Sequence, residues 1–403
     1  MGEAMLSLEE ARERILLAVK PLTPRLLPLE EAHRLRAAEI LYARVDLPPF
    51  DNSSVDGYAV RASDLIGASA GHPVALRVVE RLAAGGEAGP GLAAGMCARI
   101  FTGAMLPTGA DAVVMQEDVK SDEVDPGVAI FCEAARPWEN IRLRGEDVKR
   151  MARLTQMGAV LTAPRLGLLA AQGFQSVRVF PPPVLAMIAT GNELREGDGS
   201  LMPGQIYESN RMALGALAER AGARAKIYPL VPDELEATKD ALERAFAECD
   251  AVVTTGGVSV GEMDFVKTAF AELGGQTDFW RVAIKPGKPF VFGQRNGKPL
   301  FGLPGNPVSA FVTFFLLVGP AVKIMLGGKT AELPRVTRTL TEPLVNDSNR
   351  RHFMRVWANE KEARPSGPQA SHRLGSLALA SGLVDVPAAT TLGAGTEVEV
   401  LYW

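Results

Sequence analysis

The feature that most constrains this chain is the alternation of short apolar runs with helix-length segments between residues 184 and 325. VLAMIA (184–189) is strand-like, and Ser209 to Ala221 has helical spacing. AKIYPLV is a strand candidate, Asp233 to Cys249 is helical, and AVVTT (251–255) is again a strand. PLFGLPG followed by NPVSAFVTFFLLV reads as strand, then helix. Strands alternating with helices of this length predict a parallel α/β sheet. Pro181-Pro182-Pro183 marks its start.

Three strands of this segment end in glycine-containing loops: IATGNEL (188–194), VTTGGVSVGEMD (253–264) and FGLPGNPVSA (301–310). Ligands of open parallel sheets bind outside the carboxyl ends of the strands, so the loops are expected to converge on one pocket. Glycine admits backbone N–H groups close to a ligand, and successive N–H groups form anion-binding nests. In the third loop Asn306 can cap a helix and Pro307 suits its first position. The helix start would favour a phosphate or oxyanion. A single Gly-rich turn is more often only a tight turn; three in one domain, two bearing carboxylates, point to a site. Those carboxylates are Glu193, Glu262 and Asp264, with Asp233 either beside them or capping a helix after Pro232. Carboxylates next to phosphate-binding loops suggest Mg²⁺. Downstream, WRVAIKPGKPFVFG (280–293) brings Arg281, Lys285 and Lys288 around Pro286-Gly287, an anion-binding turn in this setting.

The flanking regions differ in texture. Ser7 and Glu10 form a candidate capping box before a helix over 8–19. From 46 to 140, short strand-like pieces between Gly, Pro and Asp turns predict a small β-rich domain. Helical character is expected from 145 (GEDVKRMARL) to Gly173, and the chain beyond 333 is β-like. PPFDNSSVDGYAV (48–60), TGAMLPTGADAVV (102–114) and RLRGEDV (142–148) are polar turns that decide nothing individually.

Net charge is −4 and 47% of residues are hydrophobic, so no global electrostatic case exists for nucleic acid or an anionic membrane. Three well-separated cysteines and four scattered histidines argue against a disulfide framework, a zinc site or a triad. The acidic, amphipathic N-terminus is wrong for a secretory signal. The apolar run Val308–Val322 is short of the ~20 residues needed to span a bilayer and reads as a buried helix. A cytoplasmic protein is expected. No GxxxxGK[ST] or GxGxxG pattern occurs, which weakens ATPase and dehydrogenase readings.

Taken together, FDNSSVDGYAV, TGAMLPTGADAVV, RGEDV, ATGNEL, TTGGVSVGEMDFVK, IKPGKPF and GLPGNPVSA resemble the molybdopterin molybdenumtransferase family, bacterial MoeA and the E domain of gephyrin. The seven motifs occur in the family's order across most of the chain. The resemblance implies Mg²⁺-dependent insertion of molybdate into adenylylated molybdopterin with release of AMP. It also implies an elongated homodimer whose cleft is shared between subunits. Its domains would be 1–45 with 142–179, a β-rich 46–141, a molybdopterin-binding-like α/β domain over 180–330, and a β-barrel-like 331–403. Carried over by position, Asp56, Thr102, Asp147, Glu193, Asp233, Asp264 and Lys285 are implied catalytic residues, and Glu193 and Asp264 metal ligands. Gly191, Ser209, Gly256, Gly257, Ser259, Gly261, Arg281, Lys288, Gly305, Asn306, Pro307 and Ser309 are implied substrate contacts. Transient partners would be the adenylyltransferase and apo-molybdoenzymes.

Three departures stand out. Asn192 occupies a place where many relatives have Asp, Ser54-Val55 replace the commoner Ala-Met, and Arg281 replaces a Lys found in some. A tungstate-inserting paralogue and a non-catalytic molybdopterin carrier or scaffold are the alternatives. A generic Mg²⁺-dependent nucleotide hydrolase would explain the glycine loops but not the 48–60 and 102–114 motifs.

Overall fold

The computed structural model describes residues 5–403 apart from 88, 90, 123 and 258–264. The chain forms two compact units: Ile40–Gln156 with Gly167–Gln175, and the remainder.

The larger unit is built on a six-stranded sheet. Its strands are β1 (Val184–Ala189), β2 (Arg224–Ile227), β3 (Ala251–Thr255), β4 (Gln276–Arg281), β5 (Pro289–Arg295) and β6 (Lys298–Leu303), in the order β2-β1-β3-β6-β5-β4. The first four in that order are parallel, but β5 and β4 join antiparallel. The sheet is therefore mixed, which corrects the all-parallel expectation. The cause is local: β5 and β6 are joined by the two-residue turn Asn296-Gly297, the strongest short-range signal for a hairpin.

Alternate residues of β1 face opposite layers, as the twofold period of a strand requires. Leu185 and Met187 join one core with α1 (Asn210–Ala221), α4 (Pro307–Met325) and the N-terminal helix Leu8–Ala18. Ala186 and Ile188 join the other with α2 (Leu235–Glu248) and α3 (Phe265–Glu272). The Ser7–Glu10 capping box starts the N-terminal helix as expected.

Helix α4 is long and apolar enough to cross a membrane, yet 78% of its most apolar window is buried inside the protein. Its apolarity packs the core. Before Pro320, which offers no N–H, the helix widens into a π turn over Phe314–Val318, and Gly319 N–H donates to the Phe314 carbonyl. Proline's missing donor and ring account for this local adjustment.

The tail forms a closed five-stranded barrel in the same unit. Arg351–Ala358, Glu362–Pro365, Arg335–Leu340, Glu397–Tyr402 and Gly382–Val386 pair in turn, and the last returns to the first. Val356, Val384, Val386 and Val400 fill it. A short strand from the α/β part, Ile284–Lys285, pairs in parallel with Arg351-His352. That pairing fixes the lysine turn against the barrel.

The smaller unit holds a second six-stranded sheet, in the order 112–115, 57–60, 96–100, 74–82, 128–131, 119–121. Val60, Leu76, Cys97 and Phe131 cover one face; Ala59, Leu82, Ala98 and Ile100 cover the other. The helix expected from 145 is not formed. Residues 143–152 are turns, followed by a short strand over Arg153–Thr155. Met151 is left-handed (φ 68°), and Asp46 pulls the segment out of helical geometry by accepting from Arg150 N (2.7 Å) and Arg144 Nε (2.6 Å). The helix in this region is confined to Ala163–Ala171.

Candidate functional site

In the larger unit the strand order reverses between β1 and β3: the chain leaves β1 for β2 on one side, then crosses to β3 on the other. That reversal is the place where α/β sheets bind ligands. Gly191 follows β1, and Gly256 and Gly257 follow β3. Thr190 N–H donates to the Thr255 carbonyl (3.0 Å), closing the two loops against each other. Gly305, after β6, lies against Gly256: a side chain on Gly305 would begin 3.7 Å from the Gly256 Cα. The three glycine loops therefore meet at one place, as their positions in the sequence predict. Ser259, Gly261, Glu262 and Asp264 lie outside the described residues.

Exposed Glu193 folds its carboxylate back over Gly191, with Oε2 2.7 Å from where a side chain on that glycine would begin. Asp233 does not cap α2, whose N-cap is Glu234. Instead its carboxylate accepts from Asn192 N–H, and Asn192 Oδ1 accepts from Asp233 N–H, both at 3.2 Å. An amide at 192 suits this reciprocal pairing. A carboxylate there could still accept from Asp233 N–H but would face the Asp233 carboxylate.

The loop between Glu193 and α1 is anchored by a group the sequence reading missed. Arg211, 3% exposed, donates to Glu208 (2.9 Å) and also binds Glu196 and the Tyr228 carbonyl. The Glu208–Arg211 spacing at a helix start was the available signal. Ser209 is the α1 N-cap without a side-chain cap bond, and Asn210 Nδ2 donates to the Gly305 carbonyl (2.8 Å), tying α1 to the third loop.

The turn at Gly305 also borders an open cleft of about 710 Å³. Lys285, Gly287 and Lys288 form one side, Asn306 and Ser309 a second, and Asp347, Arg350, His352 and Ser371 from the barrel region a third. Gly287 is required there. It is left-handed (φ 113°), and a Cβ would sit 2.4 Å from Thr313 Cγ2 on buried α4. That close approach seats the lysine turn on the helix. Arg350 Nη1 donates to the Ile284 carbonyl (2.8 Å), fastening the barrel to the same turn. Among the described residues Lys285, Lys288 and Arg350 face one carboxylate, Asp347, so this lining is cationic.

The start of α4 departs from expectation. Asn306 is the N-cap residue but makes no side-chain cap bond, and Val308 N–H donates to the Ser371 carbonyl (3.2 Å). Pro307 has no N–H. Most of the first-turn donors are thus occupied or absent, and the cleft's positive character comes from side chains rather than the helix end. Arg281 lies at the end of β4 with its guanidinium over the Trp280 ring (4.2 Å), and it does not line the cleft.

Beneath the cleft, fully buried Arg355 donates to the Pro368 carbonyl (2.7 Å), while Gln369 bridges the Arg355 backbone in both directions. These bonds hold the 366–371 loop that supplies Ser371. Burial alone lowers the Arg355 guanidinium to about 10. Arg350, His352, Arg355, Gln369 and Ser371 were not read from the sequence, because the barrel signalled only β structure; the basic cluster NRRHFMR was the clue.

In the smaller unit, the 48–60 and 102–114 motifs meet. Asp56 Oδ1 accepts from both Thr102 N–H (2.8 Å) and Thr102 Oγ1 (2.7 Å). The backbone bond first, then the hydroxyl, and Arg99 at longer range hold the Asp56 carboxyl below its ordinary range. Asp147 sits on the 143–150 turn, its N–H donating to the Leu47 carbonyl (3.1 Å). Among the described residues no hydrogen bond or ion pair joins it to Asp56 or Thr102.

Family models cover most of the chain: the MoeA N-terminal region (domain I and II) over residues 6–173, a probable molybdopterin binding domain over 186–324, and the MoeA C-terminal region (domain IV) over 337–403. The chain is 39% identical over 375 residues to a molybdopterin molybdenumtransferase of Haemophilus influenzae, covering 91% of each. It is 36% identical over 404 residues to molybdopterin molybdenumtransferase 2 of Mycobacterium tuberculosis, covering 98% of this chain and 99% of that one. The fold matches a crystal structure of a molybdopterin biosynthesis moea protein from Pyrococcus horikosii with a TM-score of 0.87 at 35% identity, over 99% of both chains. The chain belongs to the molybdopterin molybdenumtransferase family and is a transferase of molybdenum cofactor biosynthesis.

Proposed function

We propose that the chain inserts molybdate into adenylylated molybdopterin and releases AMP, in a Mg²⁺-dependent reaction. The observation that carries this reading is the Gly305–Asn306 turn, which borders both the three glycine loops and the cationic cleft. A phosphorylated pterin nucleotide at the loops and a tetrahedral oxyanion in the cleft would then be neighbours.

In this reading Gly191, Gly256, Gly257 and Gly305 line the path of the diphosphate, and Ser209, Ser259, Gly261, Arg281 and Pro307 would be further substrate contacts. Lys285 and Lys288 neutralise the oxyanion, with Asn306 and Ser309 at its rim. The lysine side chains hold the anion by charge and donated hydrogen bonds, and the closely packed turn keeps both from drifting.

The donor set suits a hard cation. Glu193 offers exposed oxygens at the switch point, and Mg²⁺ ordinarily takes one or two carboxylates with phosphate and water. Glu193 and Asp264 would hold it, and it would neutralise charge on the phosphate leaving group. Asp233 keeps the Glu193 loop in place through Asn192.

The reading also divides the chain into four domains, 1–45 with 142–179, 46–141, 180–330 and 331–403. It pairs two copies so that Asp56, Thr102 and Asp147 complete the partner's cleft. The three free cysteines suit a reducing cytoplasm. The adenylyltransferase that makes the substrate and the apo-molybdoenzymes that take the product would be transient partners.

The test is AMP release under anaerobic conditions, with and without molybdate and with Mg²⁺ added or chelated. Release that requires both is expected. Release indifferent to molybdate would contradict the reading and indicate a hydrolase.

A further inference from the structure

The cationic cleft contains a histidine with no evident structural bond. His352 lies in the barrel strand Arg351–Ala358, is 3% exposed, and stands opposite Lys285 in the parallel pairing of Ile284–Lys285 with that strand. It lines the cleft. Neither Nδ1 nor Nε2 has a hydrogen-bond partner among the described residues. Buried polar groups are ordinarily paired, and leaving one unpaired is costly. A histidine kept only for packing would more simply be an apolar residue.

The groups facing it are mostly cations. Lys285 lies across the pairing, Arg355 lies on its own strand with Arg350 just before it, and Lys288 lies on the turn beyond. Among the described residues Asp347 is the one carboxylate acting on it. On the other flank its strand partner is Val386, and neighbouring Asp385 is engaged by Arg351. Burial first, then Lys285, Arg355 and Arg350, push the imidazole down to about 4, so it is neutral in the empty cleft. A dianion placed among these cations offsets most of their charge, and a nearby opposite charge favours the charged imidazole.

We propose that His352 takes up one proton from solvent when a tetrahedral dianion enters the cleft, so that oxyanion binding is coupled to protonation of this ring. The proposal rests on the reading of the cleft as the oxyanion site. His352 acts as a charge partner to the anion, adding a positive charge only when there is one to balance. The lysines and arginines are charged whether or not the cleft is filled. The histidine alone among these groups can respond to occupancy at neutral pH.

Between the lowered value of the empty cleft and the raised value of the occupied one, binding consumes a proton, so affinity falls as pH rises. The slope is about tenfold per pH unit, and it flattens once the pH exceeds the occupied-state value.

Titration calorimetry of the full-length protein with molybdate, in two buffers of different ionisation enthalpy at about pH 6, counts the protons; this pH lies above the lowered value and below the ordinary one of 6.5. About one proton per molybdate is expected for the native protein. His352→Gln should bind more weakly, with no uptake and a flat pH dependence. Imidazole C–H resonances of the native protein, followed with and without molybdate, give the same answer if the variant does not fold. Binding without proton uptake, or equal uptake by His352→Gln, would overturn the proposal and leave the oxyanion site standing. A folded native protein that does not bind molybdate would instead overturn the reading of the cleft, and the proposal with it.

Discussion

Lys285→Ala should lower molybdate-dependent turnover by on the order of a hundredfold or more while the protein stays folded. Lys285 stands on the short strand that docks against the barrel and lines the cleft, where among the described residues Lys288 and Arg350 are further cations and Asp347 the single carboxylate. A unit charge about 4 Å from a cation at an effective dielectric near 20 is worth about 4 kcal/mol, and rearrangement of the neighbouring cations returns part of that. A net loss of about 3 kcal/mol corresponds to about a hundredfold in rate or affinity. The split between parameters is informative. If Lys285 only gathers the oxyanion, KM for molybdate rises and kcat holds; if it also stabilises the reacting centre, both suffer. Steady-state kinetics with varied molybdate, alongside a thermal melt, check the expectation. Unchanged kinetics would remove Lys285 from the site. The main contacts of its backbone survive the change, because the docking strand and the seat of Gly287 on Thr313 do not use the ammonium group.

Gly256→Ala should be the most damaging single-atom-group change at the switch point, costing about 2–4 kcal/mol of stability and most of the activity. Gly256 is left-handed at φ 81°, a conformation that costs other residues about 1–2 kcal/mol. A Cβ there would also lie 2.5 Å from the Thr190 carbonyl oxygen and 3.1 Å from Thr190 Oγ1. The clashing carbonyl is main chain, in the loop that follows β1, so relief would separate the first and second glycine loops. Gly305, which rests on Gly256, would follow. Chemical denaturation and turnover, measured together, check this. A variant with native stability and native turnover would contradict the close approach on which the convergence of the loops depends.

The sequence made the glycine loops legible because their meaning is local. A buried strand, a glycine and a polar loop follow one another within about ten residues, and the topology of an α/β sheet then brings such loops together. The Asp56–Thr102 pair was legible only as two polar turns; their meeting depends on strands 57–60 and 96–100 lying side by side. The antiparallel edge was missed although Asn296-Gly297 signals a hairpin, since the surrounding alternation favoured a parallel sheet. The helix expected from 145 failed for a tertiary reason: Asp46, about a hundred residues away in sequence, competes for the backbone N–H of Arg150. Asn306 occupies the cap position that its residue type predicts, yet the bond is absent and the barrel-side Ser371 takes the neighbouring donor. The barrel's share of the cleft was the least legible part. Arg350, His352 and Ser371 acquire a role only through the pairing of Lys285 with His352, a contact between residues far apart in the chain.

In the proposed reaction this protein places molybdenum on the pterin. The most direct measurement is anaerobic incubation of the purified protein with adenylylated molybdopterin, Mg²⁺ and molybdate, followed by transfer of the product to an apo-molybdoenzyme and assay of that enzyme. Activity that appears only when this protein and molybdate are both present, with molybdenum recovered on the pterin in about equal amount to the AMP released, is the predicted result. AMP release that leaves the pterin without molybdenum, and the apo-enzyme inactive, would contradict it.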